Sequence, residues 1–234
     1  MSAGFAIISP ISSPDDHFTN LGANRANNVE YEFEYVSLRK GEHLTSAMKA
    51  LNPRGQVPFI IDDGFVVCES STIMRYLCQK YSLPDHWYPA DLKSRTGVDT
   101  LLDWYHSNLR ATSGYVFMKG MQVSVFKMSP PREEYIKLKE DIMLMSLKIL
   151  EESYLTEEGS FLLGASQPTI ADVLLGCEVT QTCMLDEADR ERVLGGKPKI
   201  AKWLAALEET TAPHFAEVHT TIRSTAKEME ASSK

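Results

Sequence analysis

Asn52-Pro53-Arg54-Gly55-Gln56-Val57-Pro58-Phe59, with Glu69-Ser70 following ten residues after Phe59, decides the reading of this chain. Val57-Pro58 stands where a strand begins, between Leu51 and the apolar pair Ile60-Ile61. Proline has no N–H to give a sheet, so it belongs at a strand's first residue or on an edge. The N–H and C=O of Val57 are then available to pair with an extended molecule. Glu69-Ser70-Ser71 opens a helical run, whose first N–H groups and positive dipole end attract a carboxylate. A free backbone edge beside such a helix start suits a small peptide with a free α-carboxylate and α-amine.

On either side of this stretch, strand-like and helix-like patterns alternate. Phe5-Ala6-Ile7-Ile8 reads as a buried strand, and 30–36 (EYEFEYV) alternates polar and apolar residues with period two. Residues 43–51 read as a helix ended by Asn52-Pro53. The runs 58–61 and 65–68 are split by Asp62-Asp63-Gly64, a hairpin signal. Residues 70–81 place Ile73, Met74, Leu77 and Tyr81 at helical spacing. The order β-α-β-α-β-β-α is that of a thioredoxin-like domain. Pro84 to Pro89 is rich in breakers and aromatics and serves as a linker. Beyond it, strand alternation ends and helical periodicity runs over 92–122, 133–154, 169–185 and 199–209. The expected layout is a thioredoxin-like domain at 1–83, a linker at 84–91, an all-helical domain at 92–223 and a flexible tail at 224–234.

The chain has 234 residues, 43% of them hydrophobic and 24% charged, which suits one large or two small globular domains. A net charge of −8 disfavours nucleic acid and anionic membrane as partners. No run approaches the about 18 apolar residues of a membrane span. The start MSAGFAIIS lacks a basic region, so a signal peptide is not expected. Cys68, Cys78, Cys177 and Cys183 form no Cys-x-x-Cys pair. Their apolar settings suit free thiols in a reducing compartment, and neither a metal nor a cysteine nucleophile is expected. Thr169-x-x-Asp172 has the form of a capping box at the start of an apolar helix, and its role is read as structural.

The Gln56-Val57-Pro58 and Glu69-Ser70 pair resembles the glutathione site of the cytosolic glutathione transferases. Further matches are Gly41-Glu42-His43-Leu44, Asp85-His86-Trp87-Tyr88-Pro89, residues 103–110 (DWYHSNLR), Phe161-Leu162-Leu163-Gly164 and Pro168-Thr169-Ile170-Ala171-Asp172. Together they resemble the theta class, particularly its plant-like members, from about Val29 to about Thr221. The resemblance implies a glutathione transferase fold, an α/β thioredoxin-like domain followed by an all-α domain. It also implies a cytoplasmic homodimer acting on glutathione and on small hydrophobic electrophiles or hydroperoxides. In the family's pattern Glu69 meets the γ-glutamyl ammonium and Ser70 the α-carboxylate. Val57, before a cis Pro58, pairs with the cysteinyl backbone, while Gln56 and His43 lie toward the glycyl end. Asn108, Arg110 and Tyr115 fall where the electrophile pocket is built, and Arg110 would stabilise an anionic leaving group.

Glutathione transferases activate the substrate's own thiol. A free thiol of pKa about 8.5 is little ionised at neutral pH, and only the thiolate attacks. A hydroxyl that donates to the thiolate is worth roughly 1.5–3 kcal/mol, which lowers the thiol pKa by about one to two units. The theta pattern places that serine in a Ser-x-Pro context after the first strand. Ser12-Ser13-Pro14 occupies that place, with Ser12 or Ser13 as the donor. Unlike a dehydroascorbate reductase, the chain has no cysteine there. Residues 15–28 depart from the family: Asp15 and Asp16 follow directly, Asn is frequent and large apolar residues are few. Two carboxylates beside a thiolate oppose its ionisation. The alternative is therefore a glutathione-binding or scaffolding protein of the same fold with little or no turnover.

Overall fold

The computed structural model describes residues 5–9, 31–38, 40–123 and 126–232. Ser12, Ser13 and the divergent 15–28 stretch lie outside them, as does the helix expected between the first two strands. Four strands form one sheet in the order β2-β1-β3-β4: β1 (Phe5–Ser9), β2 (Tyr31–Tyr35), β3 (Phe59–Asp62) and β4 (Phe65–Cys68). β1 runs parallel to β2, with Ile7 opposite Phe33, and antiparallel to β3, with Ile7 opposite Ile60. In β2, Tyr31 and Phe33 are half-buried while Glu32 and Glu34 face solvent, as the alternation requires. β3 and β4 meet through the two-residue turn Asp63-Gly64, whose φ angles of 49° and 82° match a type I′ hairpin.

Residues 43–51 divide into a 3₁₀ turn at Glu42–Leu44 and a short helix α1 (Ser46–Leu51), capped by the Thr45 side chain on Met48 N–H. α2 (Ser70–Lys80) buries two adjacent flanks. Ile73 and Leu77 pack with Ile60 and Val67 of the sheet, whereas Met74 and Cys78 join the helical core. The helix that begins at Glu69-Ser70 is therefore clamped between both parts of the protein.

The helical part comprises α3 (Leu92–Ser107), α4 (Ala111–Val116), α5 (Glu133–Ile149), α6 (Ile170–Thr180), α7 (Glu187–Leu194), α8 (Pro198–Thr210), α9 (His214–Val218) and α10 (Thr220–Ser232). The periodic run 92–122 is not one helix. It breaks at Asn108, whose Nδ2 turns back to donate to Trp104 C=O at 2.9 Å, and α4 then widens into a π-helical turn at Phe117–Met121. α6 is the axis of this part, with every residue from Ile170 to Val179 buried. Its capping box forms as expected, with Thr169 and Asp172 each holding the other's backbone. Among the described residues no helix is long and apolar enough to cross a membrane.

The C-terminal segment corrects the expectation of a flexible tail from 224 onward. α10 runs to Ser232, packs against the 181–184 turn and buries Ala226, while Arg190 pairs with Glu230 at 3.2 Å. Small and charged composition masked an amphipathic helix that needs a partner surface to form.

His219, between α9 and α10, is fully buried, with its Nδ1 2.6 Å from Phe215 C=O and its ring 4.3 Å from the Phe215 ring. Burial pushes its pKa down from 6.5 to about 4; the Phe215 carbonyl and Glu208 oppose that fall, and Arg223 adds to it. A depressed folded-state pKa means the stability is present above pH 6.5 and lost as pH falls toward 4. The shift corresponds to about 3 kcal/mol. Urea unfolding of wild type and His219→Asn between pH 7 and pH 4 is expected to show wild type losing about 3 kcal/mol more than the variant. Equal losses would rule the linkage out.

Candidate functional site

The quoted loop is organised by Asn52, which is buried at its centre. Asn52 Nδ2 donates to Gln56 C=O at 2.7 Å, its Oδ1 accepts from Arg54 N–H at 3.2 Å, and its C=O accepts from Gly55 N–H at 2.8 Å. Gly55 has φ 59°, and a Cβ there would sit 3.2 Å from both His43 O and Leu44 Cδ2. Glycine thus lets the loop lie on the 42–44 turn, bringing His43, Gln56 and Val57 to one neighbourhood. Gln56 is exposed and Val57 half-buried. His43 keeps a buried Nδ1 without a hydrogen-bond partner among the described residues. Val57-Pro58 is cis, and Val57 precedes β3, whose pairing with both neighbours starts at Phe59.

Glu69 turns the chain from β4 into α2 at φ 68° and ψ 120°, a conformation that non-glycine residues rarely adopt and that concentrates at functional sites. The Glu69 side chain does not cap the first turn of α2. Ser70 is half-buried there, so its hydroxyl and the first N–H groups can meet an anion. The Glu69 carboxylate pairs with the Arg54 guanidinium from the opposite side of the loop. Both side chains are about half exposed or more, at 46% and 64%, and such a surface pair holds at most about 1 kcal/mol. An incoming ammonium can replace it.

The helical part reaches this site through His106, at the end of α3, whose Nε2 lies 3.3 Å from Ser71 Oγ. Asn108, Arg110 and Tyr115 each have internal partners. Asn108 caps α3. Arg110 Nη1 donates to Glu178 at 2.9 Å, yet its side chain stays 55% exposed. Tyr115 is buried, and its hydroxyl accepts from Arg192 at 2.7 Å and donates to Glu140 at 3.4 Å. Burial, with Asp189 and Glu140 nearby, pushes the Tyr115 phenol up to about 12. Glu178 is a second buried carboxylate on α6, accepting from Tyr105 OH at 2.9 Å and Ser113 N–H at 2.6 Å besides Arg110.

Sequence reasoning gave no part in the site to Asn52, Arg54, Glu178 or His106. Glu178 did carry a signal, as one acid near the end of an otherwise apolar helical run, where a carboxylate must find donors. Among the described thiols none is activated: burial raises Cys68 and Cys183, and lifts Cys78 to about 12. No group of three or more His, Cys, Asp and Glu gathers as a metal site among the described residues.

Comparison with known proteins gives this geometry a family. Residues 23–85 match the family profile "Glutathione S-transferase, N-terminal domain". The chain is 36% identical to glutathione S-transferase T1 of Arabidopsis thaliana over 83% of its own length and 80% of that relative. It is 38% identical to glutathione S-transferase T2 of the same plant over 83% of its length, but spans only 33% of that longer protein. The structure superposes on human glutathione transferase theta-2, solved in complex with glutathione and an unknown ligand. The TM-score is 0.82 and the identity 26%, covering 98% of this chain and 91% of that one. The small sheet with its flanking helices and the helical part that follows are thus the thioredoxin-like and all-α halves of a glutathione transferase fold. Identity over four-fifths of a full-length relative, with the same fold, settles the lineage: the chain belongs to the glutathione S-transferase family, in its theta class.

Proposed function

We propose that this protein binds glutathione and conjugates its thiolate to small hydrophobic electrophiles, with reduction of organic hydroperoxides by the same thiolate. The observation that carries the reading is the convergence of three features on one edge. These are the Val57 backbone, which stands before β3 at a cis proline, the first turn of α2, where Glu69 makes no side-chain cap, and a Glu69 carboxylate paired, among the described residues, with a surface arginine. Glu69 then receives the γ-glutamyl ammonium, Ser70 its carboxylate, and Val57 the cysteinyl backbone, with Gln56 and His43 toward the glycyl end. We assign 1–83 to glutathione, 92–223 to the electrophile, and 84–91 to the link between them. Arg110 keeps exposed guanidinium for an anionic leaving group. Asn108 and Tyr115 shape the pocket. We place the protein in the cytoplasm as a homodimer, which light scattering of the purified protein tests.

Ser12 donates to the thiolate in this reading, with Ser13 as its substitute. Loss of that bond raises the thiol pKa by about one to two units, so Ser12→Ala is expected to lower conjugation of an aryl halide and reduction of cumene hydroperoxide about ten- to hundredfold at neutral pH. Retention on glutathione resin should persist. A loss confined to Ser13→Ala moves the role by one residue. Wild-type rates no higher than those of both variants would leave a binding module and sink the catalytic reading.

A further inference from the structure

His106 lies outside the residues assigned above to glutathione or the electrophile, yet it joins the two halves of the protein at the site. We propose that His106 is a positioning residue for the anion-binding turn of α2. Its Nε2 lies 3.3 Å from Ser71 Oγ, and Ser71 follows the residue that receives the carboxylate. Ser71 is buried, whereas the imidazole emerges at the surface beside it. Either neutral tautomer makes this bond, as donor to Ser71 Oγ or acceptor from it.

The contact belongs to an ordered interface. Asp99, Asp103 and His106 share one face of α3 at helical spacing, and Ser71 and Arg75 share one face of α2. Arg75 donates to Asp99 at 2.7 Å and to Asp103 at 3.3 Å, one turn further along α2 than the Ser71–His106 contact. Asp99 is itself held by Tyr88 OH at 3.1 Å from the connecting segment. The end of α3 is fixed from its other side, because the adjacent Tyr105 and the nearby Arg110 both donate to buried Glu178 on α6. His106 therefore reaches Ser71 from a turn that cannot readily shift.

The consequence concerns aim. The first N–H groups of a helix point along its axis, and their hold on a carboxylate depends on where that turn sits. Glu69 enters the turn at φ 68°, a costly conformation that persists only where its surroundings hold it. A bond from His106 to Ser71 Oγ holds the turn in register with the Glu69 carboxylate and the Val57 edge. The inference rests on the glutathione reading above.

The test is equilibrium binding of glutathione by calorimetry, with KM for glutathione and kcat measured beside it. It compares wild type, His106→Ala, Ser71→Ala, the double variant, His106→Gln and Glu69→Ala. His106→Ala and Ser71→Ala are each expected to weaken glutathione binding about five- to tenfold, the range for one hydrogen bond. The double variant should be no weaker than either single one. KM should rise with kcat unchanged at saturating glutathione. His106→Gln, which returns a polar atom near Nε2, should restore affinity to within about twofold, which a merely steric role would not require. Full affinity in His106→Ala, or additive losses in the double variant, overturns the proposal while a weakened Glu69→Ala leaves the glutathione site standing. Wild type that does not bind glutathione overturns both.

Discussion

Asp172→Ala is expected to destabilise the protein by about 4 kcal/mol or more, the largest effect of any single substitution considered for this chain. Four donors converge on this one carboxylate. Leu162 N–H and Trp203 Nε1–H reach Oδ1 at 2.8 and 2.9 Å, while Thr169 N–H and Thr169 Oγ–H reach Oδ2 at the same two distances. Burial pushes the carboxyl above its usual range, and the four donated bonds pull against that. Alanine leaves all four donors without an acceptor inside the core. Each stranded group costs about 1–3 kcal/mol, against a total stability of about 5–15 kcal/mol for a protein of this kind. The site also joins α6 to α8 and to the 162–164 turn, so the loss spreads through the helical part. Urea unfolding followed by circular dichroism reads the effect, and Trp203→Phe, which removes one of the four bonds, should cost only about 1 kcal/mol. A loss under about 1.5 kcal/mol in Asp172→Ala would contradict the account.

Glu178→Gln is expected to cost about 2–3 kcal/mol and to weaken glutathione binding several-fold in the same protein. The carboxylate is 2% exposed and accepts from Tyr105, Arg110 and Ser113. A glutamine keeps one acceptor oxygen but sets an amide N–H₂ against donors, leaving at least one buried group unpaired. Arg110 is half-exposed, so its share of the loss is screened by water, and the cost falls chiefly on Tyr105 and the Ser113 amide. Burial, with Glu178 beside it, pushes the Tyr105 phenol well above its ordinary value, so that hydroxyl stays a donor throughout the working pH range. Releasing Tyr105 loosens the turn that carries His106, which links this stability to the binding site. Chemical unfolding and glutathione titration of one preparation check both halves. Wild-type values in either measurement would break the link.

The thioredoxin-like half was legible because short-range chemistry dictates it. Asp63-Gly64 permits two positive φ angles, Glu32 and Glu34 alternate with Tyr31 and Phe33, and Pro58 belongs at a strand's start or edge and stands just before β3. The candidate edge at Val57 and the start of α2 was legible for the same reason, since proline position and a helix start are local properties. The helical half was read in outline only. Periodicity over 92–122 does not say where Asn108 will turn its side chain back on the helix, and α7, α9 and α10 are short, or polar enough that no apolar stripe announces them. The tail misled most, because α10 becomes a helix through the surface it packs against.

The sequence by itself determined the family, the sheet, the capping box and the candidate edge at Val57 and Ser70, because each is written within a few residues of chain. Tertiary structure alone decided which groups that edge would share. It put Arg54 on Glu69, set His106 beside Ser71 across 35 residues of chain, and turned Arg110 and Tyr105 toward Glu178 on α6. These contacts join elements distant in sequence, and a charge or a hydroxyl carries no mark of its partner until packing has excluded water and left it one place to bond.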